Sequence, residues 1–376
     1  MENVVVFVNE RSGGRRGRDA SRRMREALGP PHRVFDAAVG VRAIERGEVV
    51  WNERTRALVA GGDGTVARVA EALRSARLPP PPLAVAPLGT GNDLARVLGW
   101  HGNVWDDAKL CDEEYVVETL RRASVEHVDR WSLEILRPRK KATTKTFMNY
   151  LSVGVDARAA LAFDLARKNS RWTWLFAHPL LNKFLYALFG SRDFLQHSFA
   201  GLKRDVVVVV DDRVIDLPDD TEGIIVLNIN SFSGGVTMWT SDERFKKSRK
   251  DDGALEIAAV TGALHLGQLN VGAAKPMHVA QGSRVRIELK RKLPVQIDGE
   301  PWTQRPAVLR VSLLDSFPML ARSRRDRLAD LLGRHRRRVE TPVKNDSSSA
   351  THRRAFAMLA LATLAFAALV VVLARA

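Results

Sequence analysis

Short apolar runs alternate with helical patterns over the first third of the chain. Three of these runs are apolar almost throughout, as strands of a parallel sheet buried on both faces are: VVVFVN (4–9), ALVAGG (57–62) and LAVAPLG (83–89). The segment between the second and third runs carries apolar residues at helical spacing. Strand, glycine turn, helix and strand form a βαβ unit, so residues 1–135 are predicted to be an α/β domain with a parallel sheet.

The pattern changes near residue 146, where short strand-like runs are separated by turn residues. Such runs are typical of a mostly antiparallel β domain, which we place at 136–320, and a helical pattern interrupts it at 171–190. The predicted strands are DVVVVVDDRVIDLP (205–218, two strands joined at Asp211–Asp212), GIIVLNIN (223–230), LEIAAV (255–260), RVRIELK (284–290) and AVLRVSLL (307–314).

The last apolar segment, residues 355–374, reads AFAMLALATLAFAALVVVLA and has no charge and one polar side chain, Thr363. A helix of this length, at about 1.5 Å per residue, spans a hydrocarbon core of roughly 30 Å. The alternative is a buried core helix, but a core helix of this length usually has a polar face. The pattern therefore predicts a single transmembrane helix that acts as a tail anchor, preceded by a basic linker at 321–354.

The N-terminus carries no basic-then-apolar leader, so the bulk of the chain is expected on the cytosolic side of a membrane. A tail anchor favours the endoplasmic reticulum as the predicted location. The outer mitochondrial membrane stays open as an alternative, because the span is alanine-rich and has arginine on both sides.

The net charge of the chain limits the classes of partner that it is expected to bind. Lys and Arg number 59 against 43 Asp and Glu, which gives a net charge of +16. This balance favours nucleic acid, an anionic membrane or phosphate ligands. No helix-turn-helix, zinc-finger or RNA-binding motif is recognisable, so nucleic acid is not a predicted partner. The one cysteine, Cys111, excludes an internal disulfide framework and a zinc site built from cysteines.

A glycine turn, GGDGT (61–65), lies between the second apolar run and the helical pattern. Backbone N–H groups at such a turn, together with the helix dipole, favour an anion. Gly61 and Gly62 lack the Cβ atoms that would block close approach, and Thr65 can cap the helix or touch a phosphate. The carboxylate of Asp63 is compatible with phosphate if it acts through a metal ion or holds the loop. A plain strand-to-helix turn remains an equal alternative for this motif alone.

Two further glycine loops follow strands of the same predicted sheet. One is APLGTGNDLARVLGW (86–100) and the other is VNERSGGRRGR (8–18). Loops after neighbouring parallel strands meet at the carboxyl edge of the sheet, where ligands bind in open α/β folds. Three loops of the phosphate-binding type at one edge are difficult to explain as structure alone.

GGDGT followed by PLGTGNDLAR resembles the eukaryotic diacylglycerol kinases. The resemblance continues through VDRWSL (128–133), MNYLSVGVDA (148–157), LNINSFSGGVTMW (227–239) and LPVQIDGEPW (293–302), and so covers roughly 1–320. The chain lacks the cysteine-rich and EF-hand domains of many animal members, and it has Glu10 where relatives commonly have proline.

The resemblance implies an α/β nucleotide-binding domain and a β-rich lipid-substrate domain, with ATP and Mg²⁺ as cofactors and membrane diacylglycerol as the acceptor. Anionic lipid is an expected partner, and protein partners are unknown. The residues implied to hold the nucleotide phosphates or organise their loops are Asn9, Ser12, Gly13, Gly14, Gly61, Gly62, Gly64, Thr65, Gly89, Thr90, Gly91, Asn92 and Asp93. The residues implied to hold the metal are Asp63, Asp93, Asp129 and Asp156.

Asp298, in QIDGEPW, resembles the general base that would take the proton of the acceptor hydroxyl. Glu300 lies two residues on and faces the same side if the segment is extended, so it joins the catalytic candidates with Asp63. Whether Asp298 or Asp63 is the base stays open. The alternative for Asp298–Gly299 is a hairpin turn, because Asp-Gly is a strong turn signal.

Two other functions remain open at this point. One is a kinase of another lipid alcohol, such as monoacylglycerol, ceramide or a sphingoid base. The other is a membrane-tethered scaffold with an inactive kinase fold. Trp172 and Trp174 are the better candidates for lipid contact within the helical insert, because tryptophan favours the membrane interface.

Overall fold

One sheet joins the N-terminal and C-terminal halves of residues 1–323. This computed structural model describes residues 3–12, 16–76, 78–88, 92–106, 108–168, 199–270, 272–323 and 325–327. Residues 324–376 form a second unit, of which only 325–327 are described. The predicted insert at 171–190, the linker beyond 327 and the predicted span at 355–374 therefore lie outside the described residues.

The N-terminal part of this sheet is parallel, as its apolar runs predict. Its strands are β1 (Asn3–Val8), β2 (Arg33–Asp36), β3 (Thr55–Gly61) and β4 (Leu83–Pro87), in the order β2-β1-β3-β4. The helices of this part are α1 (Arg16–Ala27), α2 (Ala37–Glu45), α3 (Asp63–Ser75), α4 (Asp93–Val97) and α5 (Glu113–Arg122). The core strands β1, β3 and β4 are buried along most of their length, which is the reason they read as continuous apolar runs.

The same sheet continues with antiparallel strands from the second half of the chain. These are β5 (Ser124–Leu136), β6 (Thr143–Phe147), β8 (Val206–Val210), β9 (Arg213–Ile215), β13 (Arg284–Leu289) and β16 (Ala307–Ala321). The predicted turn at Asp211–Asp212 joins β8 to β9, and both residues have positive φ, as a two-residue hairpin turn of the primed type requires. The predicted domain boundary at 135/136 falls at the end of β5, so the sheet is continuous across it.

A second sheet is wholly antiparallel and forms the C-terminal β domain that the pattern predicts. Its order is β12-β11-β10-β7-β14-β15. The strands are β7 (Tyr150–Gly154), β10 (Gly223–Leu227), β11 (Leu255–Val260), β12 (Met277–Gly282), β14 (Leu293–Ile297) and β15 (Glu300–Gln304). The helices of this half are α6 (Val155–Lys168), α7 (Leu202–Asp205) and α8 (Ala263–Asn270).

Strand β16 connects the two halves. One edge of it pairs with β5 from Val308 to Ala321, whereas the other edge is shared by β13 and, at Met319, by β4. Sequence reasoning placed a strand only at 307–314 and missed its second role as the neighbour of the parallel strands.

A buried ion-pair cluster fixes β16 to α3. A bulge in β16 brings Asp315 opposite Arg130 of β5. The guanidinium of Arg130, of which 3% is exposed, donates to both carboxylate oxygens of Asp315 at 2.8 and 3.0 Å, and to Glu71 of α3 at 3.0 Å. Arg74 of α3 donates to the same Asp315 at 2.9 Å. The cluster therefore joins the helix that begins at Asp63 to the strands of the second half.

Among the described residues, no helix has the length and apolarity needed to cross a bilayer.

Candidate active site

The turn between β3 and α3 places a carboxylate at the carboxyl edge of the parallel strands. Gly61 ends β3, Gly62 is the N-cap of α3 and Asp63 is the first helical residue. A Cβ at Gly61 would come within 2.9 Å of the Thr65 side chain, so only glycine fits there. Among the described residues, a Cβ at Gly62 would meet nothing closer than the Asn92 side chain at 3.7 Å. Glu300 reaches over Gly64, where its Oε1 lies 2.7 Å from the position of a Cβ.

Described residues that flank the other two glycine loops contact this turn, as their positions in the sequence predict. The Asn9 amide after β1 donates to Thr65 Oγ1 at 2.8 Å, and the N–H of Leu88 after β4 donates to the carbonyl of Gly61 at 3.2 Å. Ser12 continues the first loop through its N–H, which donates to the Asn9 carbonyl at 2.9 Å. Glu10 instead turns to α1, where it accepts from Ser21 and Arg25. Gly13, Gly14, Gly89, Thr90 and Gly91 lie outside the described residues.

Asp63 is the centre of a buried polar network. Its Oδ2 accepts from the N–H of Asp93 at 2.9 Å and from the side-chain amide of Asn149 at 2.8 Å. Its Oδ1 is buried and has no hydrogen-bond partner among the described residues, and the same holds for Oδ1 of Asn149. Burial first, and then the charges of Asp93 and Asp298, raise the pKa of Asp63 well above its usual range. The site therefore holds a buried carboxylate oxygen to which no described residue donates a hydrogen bond.

Asp93 opens α4 and receives its partners from the other half of the chain. Its Oδ1 accepts from the Ser231 hydroxyl at 2.6 Å, and both oxygens lie 3.1 Å from the N–H of Gly234. The Tyr150 hydroxyl adds a longer contact to Oδ2 at 3.4 Å. Asp93 is buried to all but 1% of its surface, so these contacts hold it as a loop organiser.

Asp298 is both a turn residue and a site residue. With Gly299 it forms the two-residue turn between β14 and β15, and both residues have positive φ. Its Oδ1 accepts from the N–H groups of Asn149 and Tyr150 at 2.9 and 3.1 Å, and its Oδ2 accepts from the N–H of Met148 at 3.0 Å. Burial raises the pKa of Asp298 to about 6, against the lowering effect of these three bonds, and the Glu300 charge adds to the rise. The predicted hairpin turn at Asp298–Gly299 is therefore confirmed, and the role of Asp298 as a general base stays a prediction.

Two of the four predicted metal ligands, Asp129 and Asp156, form hydrogen bonds with residues that do not contact Asp63. Asp129 accepts from the N–H of Gly253 at 2.7 Å and lies opposite Ser316 in β16. Asp156 lies in the first turn of α6, is completely buried, and accepts hydrogen bonds from Ser152 and from Gln296. No group of three or more acidic, histidine or cysteine side chains that could hold a metal is found in the described part of the chain. The four-aspartate set is thus not assembled as one ligand cluster.

Sequence reasoning assigned no role to Asn149, Ser231 or Gly234, although they complete the site. Asn149 is a partner of Asp63 through its side chain and of Asp298 through its backbone. All three lie in the stretches MNYLSVGVDA and LNINSFSGGVTMW, which carry part of the family resemblance. That likeness was the available signal, since neither stretch has the glycine-loop spacing that singles out Asp63 and Asp93.

Comparisons with known proteins identify the family to which the chain belongs. The sequence model of the diacylglycerol kinase catalytic domain matches residues 3–129, and that of the diacylglycerol kinase accessory domain matches residues 146–301. Diacylglycerol kinase 1 of Arabidopsis thaliana is 37% identical over 329 residues, which are 85% of this chain and 45% of the relative. Diacylglycerol kinase theta of Homo sapiens is 36% identical over 329 residues, which are 82% of this chain and 34% of the relative.

The chain thus spans less than half the length of these curated relatives. A crystal structure of a diacylglycerol kinase from Bacillus anthracis str. Sterne matches with a TM-score of 0.50 at 17% identity, covering 85% of this chain and 97% of that one. At this identity the structural match shows the fold alone. Both domain matches and the relatives place the chain in the diacylglycerol kinase family.

Proposed function

We propose that the chain is an ATP-dependent diacylglycerol kinase, which transfers the γ-phosphoryl group of ATP to the primary hydroxyl of 1,2-diacylglycerol and gives phosphatidic acid and ADP. The observation that carries the proposal is the placement of Asp63. It begins a helix at the phosphate-binding edge of the sheet, and its carboxylate is held by Asn149 of the accessory half. The nucleotide loops and the acceptor half therefore meet at one buried group.

The nucleotide phosphates are assigned to the carboxyl edge of β1, β3 and β4. Gly62 leaves room for a phosphate beside the first N–H groups of α3, whose helix dipole favours a negative charge. The contact of Asn9 with Thr65 holds the first loop against this turn. Binding through backbone N–H groups positions the γ-phosphoryl group. Proteins catalyse phosphoryl transfer mostly by such positioning and by electrostatic stabilisation.

The residues present fit a magnesium ion. Oδ1 of Asp63 and Oδ1 of Asn149 are buried oxygens without hydrogen-bond partners in the described part of the chain, and Mg²⁺ prefers such oxygen ligands. Magnesium is usually held by one or two carboxylates together with substrate phosphates, so a large protein cluster is not required. When bound, the ion would neutralise charge on the phosphoryl oxygens. A cation here would also compensate the burial that raises the pKa of Asp63.

Asp298 is suited to take the proton of the acceptor hydroxyl. Its Oδ1 already accepts two N–H groups, whereas Oδ2 accepts one and keeps a lone pair for the hydroxyl. Because its pKa is raised to about 6, the carboxylate is ionised near neutral pH and is more basic than an ordinary aspartate. The hydroxyl oxygen attacks phosphorus as Oδ2 receives the proton, and ADP leaves.

A panel of lipid alcohols with labelled ATP and the full chain tests the proposal. Diacylglycerol, monoacylglycerol, ceramide and a sphingoid base are offered at equal surface density, and the labelled products are separated. We expect phosphatidic acid as the main product. A preference for another alcohol would reassign the acceptor, and ATP binding without turnover on every lipid would favour an inactive scaffold.

We also propose that residues 355–374 anchor the chain in a membrane with the kinase in the cytosol, at the endoplasmic reticulum rather than the outer mitochondrial membrane. The support is the uncharged twenty-residue segment and the basic linker before it. Resistance of the full chain to alkaline extraction, with loss of that resistance on deletion of 355–376, is the expected result. If alkaline extraction released the intact chain from the membrane, the proposed anchor would be rejected.

A further inference from the structure

The β5–β6 hairpin carries a purely basic stretch. Between Glu134 and Asp156 the chain has no acidic residue and five basic ones: Arg137, Arg139, Lys140, Lys141 and Lys145. Residues 139–144, which include the tip, are exposed. The hairpin therefore presents concentrated positive charge to solvent.

None of these five cations has a neutralising carboxylate partner among the described residues. In residues 3–323, as far as they are described, Arg139, Lys140, Lys141 and Lys145 form no ion pair with a carboxylate. The equally basic loop after Thr240 differs, because Arg244 pairs with Asp242 at 2.7 Å and Lys250 pairs with Glu126 at 2.7 Å. The positive field of the hairpin is thus available to an external anion.

Lys145 joins the hairpin to the acceptor side of the site. Its ammonium lies 4.9 Å from the ring centroid of Trp302 in β15. Within the described residues β6 pairs only with β5, and β15 only with β14, so this contact bridges open edges of the two sheets. Glu300 is two residues from Trp302 on the same face of β15. Lys145 is three residues, roughly 10 Å of extended chain, before Met148, whose N–H binds Asp298.

We propose that Arg139, Lys140, Lys141, Lys145 and Trp302 form a docking surface for an anionic lipid bilayer, and call these five residues the hairpin surface. Basic residues are attracted to anionic headgroups within a Debye length of about 8 Å, and tryptophan favours the membrane interface. Since the hairpin surface borders Asp298, docking there brings the acceptor site to the bilayer that holds the lipid substrate. The inference rests on the proposed function only in taking a membrane lipid as acceptor.

The test measures the rate of amide hydrogen exchange in the hairpin segment of the full chain. The chain is mixed with nanodiscs of phosphatidylcholine, or of phosphatidylcholine with phosphatidylserine, and amide hydrogen exchange is measured over 137–147. The tail would hold the chain on both kinds of disc, so a difference between discs reports the hairpin. We expect exchange to be roughly threefold or more slower on anionic discs, and the difference to fade at high salt.

The variant Arg139→Gln, Lys140→Gln, Lys141→Gln should lose this difference. The matched control is Arg42→Gln, Arg54→Gln, Arg213→Gln, which removes the same charge from exposed positions without recorded ion pairs and should behave like the parent chain. Equal exchange on both discs in the parent chain would overturn the proposal. So would protection by a DNA duplex and not by anionic discs, which would make the hairpin surface a nucleic-acid site.

Turnover separates this proposal from the proposed function. With diacylglycerol in the discs, the hairpin variant should lose the stimulation by phosphatidylserine while its rate on neutral discs and its KM for ATP stay unchanged. Absence of turnover on every disc, with anionic protection of 137–147 retained, would reject the kinase assignment and leave the docking surface standing. Full stimulation in the hairpin variant would reject the docking surface alone.

Discussion

Asp298 shows how one residue can satisfy a structural and a chemical requirement together. Its left-handed backbone closes the β14–β15 hairpin, and the same conformation aims its carboxylate at three consecutive N–H groups of the Met148–Tyr150 segment. Those bonds orient Asn149, whose amide holds Asp63. The sequence motif Asp-Gly predicts the turn, but only the fold shows where the carboxylate points.

The pH dependence of turnover should report Asp298. A base must be ionised, and the pKa of Asp298 is raised to about 6, so kcat should fall as pH drops below about 6 and level off above about 7. ATP binding measured over the same pH range separates this effect from titration of the nucleotide. A rate that is constant from pH 5 to pH 8 at saturating ATP would contradict the assignment.

The variant Asp298→Asn should reduce turnover by about two orders of magnitude or more, because the amide is a poor proton acceptor. It also places an NH₂ group near backbone donors, so a matched turn residue is needed as control. Asp211 also has positive φ in a hairpin turn and accepts the N–H groups of Ser283 and Arg284. Asp211→Asn should show a comparable loss in thermal stability with near-normal turnover. Near-normal turnover in Asp298→Asn itself would remove Asp298 from the mechanism.

At the scale of elements, the sequence predicted the glycine turns and missed what completes them. Periodicity and glycine position locate Asp63 and Asp93, because both follow from the local order of strand, turn and helix. The hydrogen-bond partners of Asp63 and Asp93 do not follow from this local order, since Asn149 lies 86 residues from Asp63 and Ser231 lies 138 residues from Asp93. Such contacts depend on how the second sheet packs on the first, and no local spacing encodes that packing.

The β3–α3 turn offers a direct test of nucleotide placement. Gly62→Asp adds a negative charge beside the assigned phosphates, so ATP affinity should fall by about two orders of magnitude or more. Gly62→Ala is the control, because its Cβ has open space and the φ of −101° suits any residue, and it should change affinity little. Both are measured by titration calorimetry on the folded variants. Equal affinity of the two variants would place the nucleotide elsewhere.

At the scale of the molecule, the two halves are less separate than the sequence suggests. Composition and strand patterns change near residue 146, which favours two domains, yet β16 lies between β4 and β13 in one sheet. Arg130 and Asp315 then fix α3 to that strand. The predicted α/β domain and antiparallel β domain were confirmed, whereas the predicted transmembrane helix lies outside the described residues. The continuity of the sheet was missed because a strand that pairs with both halves looks like any other strand in sequence.

Removing the buried guanidinium should destabilise the whole unit. Arg130→Met leaves Asp315 with Arg74 as its remaining arginine partner and removes the arginine that pairs with Glu71. Breaking a buried pair costs about 3–5 kcal/mol of unfolding free energy. Arg310→Met is the control, because its pair with Glu134 is exposed and long at 3.4 Å, and it should cost at most about 1 kcal/mol. Urea unfolding measures both. Equal losses would show that the Arg130 cluster has no special role in joining the halves.

The position of β16 also sets the order in which the protein can be built during translation. The edge of β4 at Leu83 is covered only when Met319 of β16 has been made, 236 residues later in the chain. Until then the nascent chain exposes an unpaired strand edge, which is a template for pairing with other chains. The N-terminal half is thus made first but completed last. The interval between the synthesis of β4 and that of β16 is therefore the stage at which we expect chaperone protection to matter most.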